Sequence, residues 1–140
     1  GYNYRMTELQ AALGLSQMRR LPEFIARRHA LAARYAARLA GLPLVLPAQD
    51  PEGRSALHLF PVLVEGRAAV FAALRAGGIG VNVHYIPVHT QPYWQARGHA
   101  PGDFPVAEDY YARAISLPLY SGLTDADQDR VVAALGRALA

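Results

Sequence analysis

Along the chain, apolar positions switch between a spacing near 3.6, the mark of an amphipathic helix, and short continuous runs bounded by proline and glycine, the mark of a buried strand. Thr7 and Gln10 form a capping-box pattern ahead of Leu9, Leu13 and Met18, with the small residues Ala11, Ala12 and Gly14 beside them. This predicts a helix over residues 7–20 that packs closely against something large. Pro22 fits the first turn of a second helix, whose apolar arc Phe24, Ile25, Leu31, Ala32, Tyr35 and Leu39 ends at the C-cap signal Gly41. Arg28 falls inside that arc, either as a snorkelling stem or as a salt bridge to a further domain.

A proline-rich connector over 42–55 leads to residues 57–64, an almost unbroken apolar run that reads as a strand buried on both faces. Pro61 within it calls for an edge position or a bulge, because proline has no amide to give to a ladder. Residues 67–76 place Val70, Phe71 and Leu74 on one side of a helix closed by Gly77 and Gly78, and a second strand is expected over 80–85. Residues 86–104 hold Pro87, Pro92, Gly98, Pro101 and Gly102 and predict a long loop without regular elements, a kind that is usually functional. A short helix over 105–114 and a third strand over 116–120 follow. Thr124 then caps a last helix whose first turns carry Asp125, Asp127 and Asp129 and whose end carries Arg137, charges that suit the helix dipole. The order describes an α+β module, a small mixed sheet covered by helices on one side.

Composition narrows the chemistry. At 140 residues, 52% of them hydrophobic, the chain can bury one core, so residues 1–140 read as a single domain. No stretch approaches eighteen apolar residues, which points away from a membrane, and the start at Gly1 without methionine suggests a truncated chain. The absence of cysteine removes disulfides and thiolate chemistry and leaves the cytoplasm as the default compartment. All 14 basic residues are arginine, so no side-chain amine is present for covalent carbonyl chemistry. Arg20, Arg27, Arg34 and Arg38 share one helical stripe, which reads as a solvated face rather than a nucleic-acid surface given 11 acidic residues and no recognition-helix pattern.

The opening residues 1–14, Gly-Tyr-Asn-Tyr-Arg-Met-Thr-Glu-Leu-Gln-Ala-Ala-Leu-Gly, resemble the segment after the catalytic-lysine region in the DegT/DnrJ/EryC1/StrS family of sugar aminotransferases. The run from Gly80 to His89, Gln91-Pro92-Tyr93, Phe104 to Glu108, and Ser116-Leu117-Pro118 recur in that family's order, so the resemblance spans the chain. It implies the small C-terminal domain of a fold-type-I enzyme dependent on pyridoxal 5'-phosphate, a short mixed or antiparallel sheet covered by helices and preceded by interdomain helices, without the N-terminal domain that supplies the cofactor lysine. The implied activity moves an amino group from glutamate to the C4 ketone of a nucleotide-linked deoxy sugar in a homodimer. Within the family, residues 3–6, 15–17 and 84–93 are most similar to the branch serving pseudaminic acid biosynthesis, which implies a UDP-linked 4-keto-6-deoxy-N-acetylhexosamine.

The candidate site residues follow from both readings. Asn3 and Arg5 precede a helix N-terminus, where free amides already favour an anion; from the residues alone a capping asparagine and a solvated arginine serve equally well. The resemblance sets Asn3 near the cofactor phosphate and Arg5 near substrate, both reaching into the neighbouring subunit. It also sets His84 and Tyr85 against the hexose, although period-two alternation sends the pair to opposite faces unless the chain turns at Ile86-Pro87. His89 either joins the substrate site or lines the loop, and a metal shared by His58, His84 and His89 is disfavoured because no acid or cysteine lies between the last two. Ser116 lacks the partnered His and Asp spacing of a nucleophile and reads as structural. A rival expectation is a free-standing binding or dimerisation module of the same fold, for which a polar first helix would be expected.

Overall fold

The computed structural model describes residues 2–50 and 52–140; Gly1 of the opening motif and Pro51 of the proline-rich connector lie outside the described residues. The expected pair of N-terminal helices is one continuous helix, α1, Glu8–Leu39. Thr7 Oγ1 accepts from the Gln10 amide and Gln10 Oε1 accepts from the Thr7 amide, so the capping box holds. Pro22, read as a boundary, sits within the helix. Good helix formers on both sides outweigh the one lost amide, and the C-terminal half is anchored by the buried Leu31, Tyr35 and Leu39.

The sheet has three antiparallel strands in the order β1 (Leu44–Val45), β2 (Phe60–Val64) and β3 (Ala114–Leu117). β1 lies inside the segment read as a connector, and two residues are too short to leave a period in the sequence. It pairs only with Leu63 and Val64, so β2 is unpaired on that side at Pro61, which accommodates the missing amide. The strand expected over 80–85 is reduced to a single bridge between Asn82 and Ser116. β3 begins two residues earlier than expected, where Ala114 pairs with Leu63.

Helices α2 (Arg67–Ala76) and α5 (Asp125–Ala138) match their sequence patterns, and Thr124 caps α5 by accepting from the Asp127 amide. Residues 86–104 are more regular than expected: a 3-10 turn (Val88–Thr90) and a short α3 (Pro92–Gln95) precede α4 (Pro105–Arg113). One core joins Leu31, Tyr35 and Leu39 of α1 to Phe60, Val62 and Val64 of β2, Ile115 and Leu117 of β3, Val70 and Leu74 of α2, and Val131 and Leu135 of α5. Tyr35 stacks on Phe60 with ring centroids 5.0 Å apart and donates its hydroxyl to the Pro118 carbonyl, and burial raises that phenol well above its ordinary pKa. Alternation along β3 sends Ser116 to the opposite face of the sheet, where it pairs with Pro61.

The arginine stripe is not a solvated face. Arg27 bonds Asp125 and the Leu123 carbonyl, Arg34 bonds both oxygens of Asp129, and Arg38 reaches the same carboxylate at 2.8 Å. Only Arg20 keeps to its own helix, over the ring of Phe24. Arg28 neither snorkels freely nor waits for another domain, since it donates to the carbonyls of Leu57 and His58. Leu57 has a left-handed backbone, φ 50°, and this clamp together with the bond from its amide to Ser55 Oγ holds it there.

Candidate functional site

Two groups of candidate residues emerge at different places on the molecule. The first is the extended lead into α1. Asn3, Tyr4, Arg5, Met6 and Gln10 line an open hollow, and Tyr2 and Tyr4 stack on each other with centroids 5.5 Å apart while staying almost fully exposed. The capping box uses the Thr7 and Gln10 amides, which leaves those of Glu8 and Leu9 without a partner inside the helix. Among the described residues, Asn3 and Arg5 form no hydrogen bond or ion pair, so a carboxamide and a guanidinium both face solvent beside a helix N-terminus. That donor set suits an oxyanion.

The second group lies on the sheet face opposite the core. The bridge between Asn82 and Ser116 places His84 so that its Nδ1 is 2.8 Å from Ser116 Oγ. Ser116 does therefore have a histidine partner, contrary to the reading of its spacing, because a backbone bridge across 34 residues leaves no local sequence trace. The hydroxyl is buried and among the described residues no carboxylate backs His84, so the pair positions a ring rather than forming a nucleophile. Tyr85 does not point away to the far face. Its peptide link to His84 is cis, its ring meets the imidazole edge-on at 4.6 Å, and 70% of it is exposed.

His89 is turned inward and only 7% exposed, with Nε2 2.7 Å from Glu108 Oε1. The same oxygen accepts from the Gly102 amide, and these bonds, that from His89 foremost, hold the Glu108 carboxyl below its ordinary range. His89 lines an apolar cavity of about 360 Å³ with Pro87, Val88, Trp94, His99 and Phe104. Nε2 is committed, so only Nδ1 remains to meet a ligand. Glu108 was not singled out from the sequence as a site residue, and a carboxylate one turn after Pro105 carries no sign that it will bond a histidine 19 residues earlier. His58, the third histidine weighed for a metal, is exposed, and among the described residues no three His, Asp or Glu side chains gather to hold a cation. No helix is long and apolar enough to cross a membrane among the described residues.

Comparison with known proteins places this geometry in context. The family model described as the DegT/DnrJ/EryC1/StrS aminotransferase family matches residues 1–136. Spore coat polysaccharide biosynthesis protein SpsC of Bacillus subtilis is 41% identical, over 96% of this chain and 37% of its own length. DesV of S. venezuelae superposes with a TM-score of 0.93 at 36% identity, covering 98% of this chain and 38% of DesV. PseC of Helicobacter pylori, an aminotransferase involved in the biosynthesis of pseudoaminic acid, superposes at 0.89 with 28% identity, covering 99% of this chain and 39% of PseC. A further match, Spr1654 of Streptococcus pneumoniae, is known in PLP and PMP forms. The chain spans little more than a third of the length of the curated relatives it matches.

Proposed function

The chain belongs to the DegT/DnrJ/EryC1/StrS aminotransferase family, and from this we infer that it forms the small domain of an enzyme that moves an amino group from glutamate to the C4 ketone of a nucleotide-linked deoxy sugar. The observation that carries the reading is the match along residues 1–136, which takes in every candidate residue from Asn3 to His89. Pyridoxal 5'-phosphate, when bound, supplies the electron sink for this chemistry. The chain contains no lysine, so a side-chain amine for the cofactor comes from outside these residues.

The residues present fit such a partner. Asn3 donates its carboxamide to the cofactor phosphate, and Arg5 offers a forked, permanently charged guanidinium to an anionic group of the substrate. Both act across a homodimer interface, which the exposed, extended lead into α1 supports. His84, with Nδ1 tied to Ser116, keeps Nε2 for a sugar hydroxyl, and the exposed phenol of Tyr85 stands beside it. His89, whose Nε2 is held by Glu108, has only Nδ1 left to offer the substrate. These groups bind and orient the hexose; His84 is backed only by a hydroxyl, and the one carboxylate-backed imidazole, His89, is buried away from solvent, so neither is assigned proton transfer at the reacting carbon.

Likeness to PseC supports the narrower substrate, a UDP-linked 4-keto-6-deoxy-N-acetylhexosamine, and likeness to SpsC supports building blocks of surface polysaccharide more broadly. The test is amino transfer by the intact protein loaded with pyridoxal phosphate. Release of 2-oxoglutarate from glutamate beyond one equivalent per cofactor is expected to depend on a nucleotide-linked 4-keto sugar, with Arg5→Ala lowering kcat/KM about tenfold or more, the worth of one charge-assisted contact. Release driven by simple keto acids but not by nucleotide keto sugars would remove this assignment.

A further inference from the structure

Between the bridge at Asn82 and helix α4, the chain is fastened by two histidines, each to a side chain of another element. His84 meets Ser116 of β3 at 2.8 Å, and His89 meets Glu108 of α4 at 2.7 Å. The four residues between them are held at a third point, where Thr90 donates both its amide and its hydroxyl to the Pro87 carbonyl, and Pro87 itself is buried. Tyr85, Ile86 and Val88 project outward, 70%, 51% and 64% exposed. The result is a short arch with fixed feet and an exposed crown.

Resting on the function proposed above, we propose that Glu108 is a positioning residue: through His89 and the Gly102 amide it holds the arch Tyr85–Val88 in the shape that presents Tyr85, beside His84, to the nucleotide sugar. Glu108 touches no substrate. Its carboxylate accepts Nε2–H of His89, which fixes the tautomer and the ring plane and leaves Nδ1 as the acceptor. The Gly102 bond ties the far end of the 86–104 segment to the same oxygen, so one side chain closes the segment on itself. Loss of that carboxylate frees a buried imidazole and the Gly102 amide together. The foot of the arch at His89 then loses its fixed direction, while the foot at Ser116 is untouched.

The experiment uses the intact protein loaded with pyridoxal phosphate, and compares Glu108→Ala with Glu108→Gln. Trp94, the sole tryptophan, lines the same cavity as His89 and reports on the segment by its emission. Glu108→Ala is expected to raise KM for the nucleotide keto sugar about tenfold, the worth of one lost charge-assisted hydrogen bond, with kcat and the KM for glutamate within about twofold and Trp94 emission shifted to the red. Glu108→Gln, whose carbonyl still accepts from His89 and Gly102, is expected to restore KM to within about threefold of wild type. A residue that only stabilised the fold would lower the melting midpoint and leave KM alone, and that outcome overturns the proposal. If Glu108→Ala does not fold, Glu108→Asp carries the test: its shorter reach should raise KM, and an unchanged KM overturns the proposal equally. Wild-type protein that ignores nucleotide keto sugars overturns the functional reading and this inference with it, whereas wild type that binds them no better than a folded Glu108→Ala overturns the positioning role alone.

Discussion

Gln128 has no exposed surface, yet both ends of its amide are satisfied across a helix interface. Its Nε2 donates to the Leu31 carbonyl at 2.7 Å, and its Oε1 accepts from Arg34 at 3.0 Å. A buried amide is costly unless paired, so this one residue fixes the facing register of α1 and α5. Gln128→Leu keeps the bulk but removes both bonds, and is expected to lower unfolding free energy by about 1–3 kcal/mol in urea titration. A midpoint equal to wild type would mean the amide is dispensable there. Neither Gln128 nor Arg28 could be assigned from the sequence. Their partners are backbone carbonyls 97 and 29 residues away, and a carbonyl is present at every position, so nothing local distinguishes the one that will be used.

Across the α1–α5 seam, the arginines at 27, 34 and 38 meet the carboxylates at 125 and 129. The Arg34 hydrogen bond is the main reason that Asp129 titrates below its ordinary value, and the Arg27 bond does the same for Asp125. The unfolded chain therefore binds more protons than the folded one in the acid range. The contribution to stability is complete above the ordinary carboxylate pKa, near 4, and is lost as pH falls through the lower folded values. The melting midpoint is expected to stay level between about pH 7 and 5 and to drop below about pH 4, with a shallower drop in Asp129→Asn. An identical acid profile in that variant would place the sensitivity elsewhere, at Glu108 or Asp103, which shift in the same direction. Helices α2 and α5 were legible because their ends carry glycine, a threonine cap and first-turn acids. The split of α1 at Pro22 was misread because a proline penalty is local, whereas the tertiary contacts that override it at Leu31, Tyr35 and Leu39 are not. The strand expected over 80–85 has the right residues, but β3 offers it only one pairing, at Ser116. His84 and Tyr85 were candidates only through the resemblance, and their side-by-side arrangement, at 4.6 Å between rings, left no local trace in the sequence.

At the scale of the molecule, the core engages only the C-terminal half of α1. From Glu8 through Glu23 every residue is exposed, including Leu9 at 85%, Leu13 at 64% and Met18 at 62%. The capping box makes this half a sound helix, but a helix alone in water gains little from propensity and relies on packing to persist. An apolar stripe flanked by Ala11, Ala12 and Gly14 allows close backbone approach, as expected of a surface that another body covers. The fold class was legible because it needs only the order and type of elements, whereas the exposure of the first half of α1 appears only once the contacts of the whole chain are known. The isolated 140-residue chain is accordingly expected to self-associate and to enhance the emission of a hydrophobic dye. Leu13→Glu should suppress both without lowering the melting midpoint by more than about 0.5 kcal/mol equivalent, since the side chain touches nothing in the core. Sedimentation of wild type as a monomer over a wide concentration range, with no dye bound, would mean that the exposed half of α1 is simply solvated and is not a docking face.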